Sequence, residues 1–85
     1  MIYSLKDLFY KLEDLYGDIN PDNFDNDLTA KVIMYFTDNP SDKARISRSM
    51  YRRMYDGSNH TFTSIDILMD VMVKSKLNSN IEWID

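Results

Sequence analysis

Apolar side chains recur at helical spacing from the start of the chain. Leu5, Leu8, Phe9, Leu12, Leu15 and Tyr16 fall on one narrow stripe of a helical wheel, with acids and lysines on the other face. Ser4, followed three residues later by Asp7, makes a capping-box-like start, and Gly17 is placed as the stop. The pattern predicts an amphipathic helix over residues 4–16. Residues 18–27 then form an acidic loop in which Asn20-Pro21 starts a turn and Asp25, Asn26 or Asp27 caps the next element. Residues 28–36 are apolar nearly all round, which suits a buried helix or a buried strand; helix is favoured because helices flank the segment. Residues 37–42 break the chain, with Pro40 at the first position of a short helix capped by Asn39.

Ser47 is placed to cap the next helix, expected from Arg48 to about Asp56 and stopping at Gly57. Met50, Tyr51, Met54 and Tyr55 share one side of that helix, and Arg48, Ser49, Arg52 and Arg53 share the other. After a loop, Thr63 and Asp66 form a second capping-box-like pair, with Phe62 stapling onto Ile67. Ile65, Leu68, Met69, Met72 and Val73 carry the core stripe of a last long helix, running to about Lys76. A polar turn leads to Ile81-Glu82-Trp83-Ile84, too short to stand alone and expected to pack back by Trp83. The fold expectation is all-α: one domain over residues 1–85, with four to five helices.

Charge changes the picture at one place. The chain has a net charge of −4, yet all four arginines lie within residues 45–53, with Lys43 just ahead. Residues 43–53 hold five basic side chains and no acid, and the rest of the chain holds five against fourteen acids. That asymmetry is the footprint of a site for phosphate or for an acidic partner; its plain counterpart is a solvated arginine-rich helix face. The ten Tyr and Phe residues suit stacking on single strands, although most fall on apolar stripes and read better as core.

Other chemistries are thin. There is no cysteine, hence no disulfide framework and no thiolate metal site. His60 has no second ligand near it in sequence and reads as a loop residue. The acidic loop lacks the glycine and terminal glutamate of a calcium loop. Without a cysteine nucleophile, a useful histidine or a glycine-rich phosphate loop, no enzyme is expected, and no cofactor. No apolar run follows a basic start, so neither a signal peptide nor a membrane span is expected. The Asn59-His60-Thr61 sequon then carries no meaning, and the expected location is cytoplasmic.

Residues 46–57, 64–72 and 77–84 together resemble the second half of a Cro/repressor-type helix-turn-helix domain, the phage-repressor and antitoxin class. The carriers are the serine-started helix ending at Gly57, the apolar helix Ser64-Ile65-Asp66-Ile67-Leu68-Met69-Asp70-Val71-Met72, and the closing Leu77, polar turn and Ile81-Glu82-Trp83-Ile84. The chain departs from the family in having Pro40-Ser41 near the first motif helix and Arg45 where the turn glycine would sit. The helix over residues 4–16 has no counterpart in the minimal domain.

The resemblance implies a helix-turn-helix-like core over residues 28–85 and a sequence-specific regulator that binds double-stranded DNA as a homodimer. The helix over residues 47–56 would lie in the major groove. Arg48 would donate to a base, Ser47 and Ser49 to phosphate or base, and Arg52 to base or backbone, while Arg53, Arg45 and Lys43 would neutralise phosphates. Tyr51 and Met54 would pack. The added helix over residues 1–17 would cover a subunit or partner interface. The alternative is a small phage-type inhibitor or adaptor that binds a host or defence protein on a degenerate form of the same fold.

Overall fold

A computed structural model describes residues 1–54, 56 and 61–85. Three parallel strands, β1 (Ile2–Tyr3), β2 (Lys43–Ser47) and β3 (Ile81–Ile84), form one sheet in the order β1-β2-β3. Parallel neighbours need long crossovers. Helices α1 (Leu5–Tyr16) and α2 (Phe24–Asp38) supply the first, and α3 (Arg48–Arg53) and α4 (Ser64–Lys74) the second. The fold is therefore α/β, and the all-α expectation is wrong.

The error lies in two short segments. Residues 43–47 alternate strictly: Lys43 and Arg45 are exposed, Ala44 and Ile46 fully buried. That is the period of a half-buried strand, carried by too few residues to stand out among helical stripes. The short helix expected at Pro40 is instead a turn, closed by Asp42 N–H donating to Asn39 O at 3.1 Å. No helix precedes α3 across a tight turn; α3 grows directly from the end of β2. For that reason no helix-turn-helix is formed among the described residues. The closing Ile81-Glu82-Trp83-Ile84 segment is likewise a strand, with Ala44 paired to Ile81 and Ile46 to Trp83.

Helices α1, α3 and α4 start at the caps their local signals mark, and α2 does not. Ser4 Oγ accepts from Asp7 N–H at 3.1 Å and starts α1. Gly17 ends it at φ 86°, a left-handed conformation that favours glycine. Thr63 and Asp66 form a complete capping box on α4. Residues 28–36 are helical, but α2 begins earlier than expected, at Phe24. Asp25 and Asp27 thus sit inside its first turn, where acids complement the helix dipole, and Asn20 caps a single 3-10 turn ahead of it. Lys31 closes this corner: its ammonium donates to Gly17 O, Asp18 O and Asp27 Oδ2 at 3.3, 2.9 and 2.9 Å. The expected helix stop at Gly57, Tyr55 on the apolar side of α3, Asn59 and His60 of the sequon and the loop role of His60 lie outside the described residues.

Leu8, Leu12, Leu28, Val32, Leu68 and Met72 from the helices close over Ala44 and Ile46, all with no exposed surface. The α1 stripe expected to cover a subunit or partner interface is thus committed to the chain's own core; only Leu15 stays half exposed. The opposite face of the sheet carries Ile2, Lys43, Arg45 and Glu82 and is open to solvent. With a shortest extent of 19 Å, the molecule is two layers thick. No described helix is long and apolar enough to cross a membrane.

One polar network fixes the start of β2. The Tyr35 hydroxyl donates to Asp42 Oδ2 at 2.7 Å and lies 3.1 Å from the Tyr3 hydroxyl, while the amino-terminal ammonium donates to Asp42 Oδ1 at 3.2 Å. The Asn80 amide adds bonds to Pro40 O and Asp42 O, tying the approach to β3 to the same turn. Burial, then the bonds to Tyr3 and Asp42, push the Tyr35 hydroxyl well above its ordinary pKa. The Tyr35 hydroxyl, then the ammonium, hold Asp42 below the ordinary 3.8. A carboxylate depressed in the fold contributes stability above its unfolded pKa and loses it as pH falls through the folded one. Stability should therefore decline below about pH 4. Tyr35→Phe should cost about 1–3 kcal/mol in urea unfolding at neutral pH, and should show a weaker decline on acidification than the unsubstituted chain.

Candidate nucleic-acid interface

The arginine-rich segment begins as a strand and ends as a helix, and this divides its side chains. On β2 the alternation sends Lys43 and Arg45 to the open face of the sheet. Arg45 Nε there meets Glu82 Oε1 at 3.5 Å, an exposed pair of little energetic weight. Ser47 ends the strand in an extended conformation, and its side chain accepts from Met50 N–H at 3.3 Å, so the expected cap is present. From there α3 presents Arg48, Arg52 and Arg53 on its exposed surface.

The first turn of α3 holds a carboxylate from its own chain. Ser47 Oγ donates to Asp85 Oδ1 and Oδ2 at 2.9 and 3.0 Å, Ser49 Oγ to Oδ2 at 2.9 Å, and Ser49 N–H to Oδ1 at 3.4 Å. The hydroxyls of Ser49, then Ser47, hold Asp85 below the usual carboxylate range. Both serines expected to meet phosphate or base are thus engaged by an internal anion. A phosphate approaching this turn would meet like charge.

Arg48 does not reach outward alone. Its guanidinium lies over the Trp83 ring, 4.8 Å from the centroid, a cation–π contact. Tyr51 meets the same indole edge-on, with centroids 6.1 Å apart and planes at 80°. Arg48, Tyr51, Arg52 and Trp83 together line a cleft of about 150 Å³. Tyr51 and Met54 pack in part against the core, as expected, but Met50 from the same expected face is 53% exposed. Among the described residues no group of three or more His, Asp or Glu side chains is arranged to hold a metal.

The structure therefore brings Arg48 and Arg52 together beside two aromatic rings and leaves Arg53 on the flank of α3, beside Met50 and Met54. It places Lys43 and Arg45 on the open sheet face and ties Ser47 and Ser49 to Asp85. Trp83, Tyr51 and Asp85, which adjoin the arginines and serines of α3, are not among the candidate site residues read from the sequence. The chain's single tryptophan comes to the arginine helix through its parallel pairing with Ile46, two residues before Arg48, a pairing that no local signal in the sequence announces.

Asp85→Asn should leave the fold intact and speed amide hydrogen exchange at Ser49 and Met50, the first-turn donors of α3. Because the folded Asp85 pKa lies below the ordinary 3.8, the same loosening should develop in the unsubstituted protein as pH falls through that folded pKa.

Comparison of the chain with protein-family models, with curated proteins and with solved structures found no match.

Proposed function

We propose that this protein binds nucleic acid through the surface of α3 and Trp83, without catalytic chemistry of its own. The observation that carries the reading is the cleft in which Arg48 and Arg52 stand beside the rings of Tyr51 and Trp83. Phosphates need mobile cations and bases need flat apolar surface; this cluster offers both within one turn of helix. The fourteen acids limit affinity to this patch, and two copies side by side would present two such patches, so a regulator working as a homodimer in the cytoplasm suits the charge distribution. The first turn of α3 is not assigned to groove reading, because Asp85 lies there.

A second reading has its own support. Met50 and Ile84 are 53% and 41% exposed, and with Leu5, Ile65 and Met69 they line a groove of about 320 Å³ beside Arg45. Apolar anchors next to arginine are the usual make-up of a protein–protein interface centre. A small adaptor or inhibitor of an acidic protein would use that side.

Titration with duplex and single-stranded DNA over a salt series tests the first reading. Arg53→Ala should weaken all sequences alike and flatten the log–log salt dependence by roughly 0.7–0.9 of a unit. Absence of binding at low salt across a randomised pool of both forms would sink it and leave the adaptor reading.

A further inference from the structure

We infer, resting on the nucleic-acid reading above, that the strand taken by this surface is unpaired, and that one of its bases stacks on Trp83 in the place now held by the Arg48 guanidinium. Three observations point the same way. A guanidinium is a flat, weakly hydrated cation, and one lying 4.8 Å from an indole centroid marks a ring face open enough to take a planar group. Tyr51 abuts the indole edge-on and braces the ring without stacking on it. The cleft that Arg48, Tyr51, Arg52 and Trp83 line, about 150 Å³, is of single-base scale.

The duplex alternative lacks its usual device. A recognition helix meets base edges and phosphates with its first turn. In α3 that turn is filled by the Asp85 carboxylate, held by the hydroxyls of Ser47 and Ser49. Arg52 lies instead in the last turn of the six-residue helix and lines the cleft, and Arg53 stands beside it on the helix flank. A backbone that passes Arg52 and turns one base inward at Trp83 avoids Asp85, with Arg53 as a flanking phosphate contact. Arg48, displaced from the ring, then becomes a third phosphate contact. No bond is made or broken; the exchange is a cation–π contact for a base–indole stack plus a charge pair.

Trp83 is the chain's single tryptophan, so its emission reports this surface alone. The full chain is titrated at low salt with a short oligothymidylate, with a hairpin duplex of equal phosphate number, and with inorganic polyphosphate. The expected result is tighter binding of the oligothymidylate, by roughly tenfold over both competitors, with strong quenching of Trp83 emission. Trp83→Phe, which keeps a ring, should retain most of the affinity. Trp83→Leu, if folded by circular dichroism, should lose roughly tenfold.

Duplex binding as tight or tighter, with Trp83 emission unchanged, would overturn the inference and leave the nucleic-acid reading standing. So would oligothymidylate binding without quenching. Polyphosphate binding equal to that of the oligothymidylate would show that bases contribute nothing, again overturning it. Failure of both DNA forms to bind would overturn this inference together with the reading beneath it.

Discussion

The register of the central strand governs where every basic side chain of the segment goes. β2 is hydrogen-bonded on both sides, to β1 and to β3, and puts Ala44 and Ile46 under the helices. A slip by one residue would turn Lys43, Arg45 and Ser47 into the core and the two apolar residues into water. Burial of unpaired charge makes that alternative prohibitive. The turn ahead of the strand is held by the Tyr3–Tyr35–Asp42 network and by Asn80, which together set where β2 begins. Its end at Ser47 sets where α3 begins, and hence which arginines stand beside Trp83. A polar network on one side of the molecule thus positions a cationic surface on the other.

Local signals in the sequence were reliable where the physics is local. The caps at Ser4, Ser47 and Thr63 and the stop at Gly17 are each made by atoms within four residues of one another, and each was legible. The α1 and α4 stripes were legible for the same reason. What the stripe on α1 packs against was not, because Leu8 and Leu12 fit a subunit interface as well as an internal core until the partner elements are placed. The strands were illegible as strands. Four or five alternating residues carry little periodic signal, and the pairing that stabilises β2 comes from residues about forty positions away. With the sheet unseen, the order of motifs after Ile46 invited a helix-turn-helix, and Pro40 was read as the start of a short helix where the chain makes a turn.

The candidate surface was half legible for a related reason. Clustering of charge along the chain survives any fold, so Arg48, Arg52 and Arg53 were identifiable directly. The groups that modify them arrive from the far end of the sequence. Trp83 reaches Arg48 only because β3 lies parallel to β2 in register, and Asp85 reaches Ser47 and Ser49 by the same alignment. Those two contacts alter the chemistry of the helix: one supplies a flat apolar surface, the other places an anion at the first turn.

The open face of the sheet has a consequence for how such a chain can change over time. All-parallel sheets ordinarily bury both faces; here the central strand is packed from one side only. Lys43 and Arg45 can therefore be exchanged for almost any polar residue with little effect on folding, while Ala44 and Ile46 between them cannot. Selection for stability and selection for a binding partner act on alternate residues of one strand, without competing for the same position. Among descendants of this sequence, the buried pair would record the history of the fold, and the exposed pair the history of whatever the protein meets.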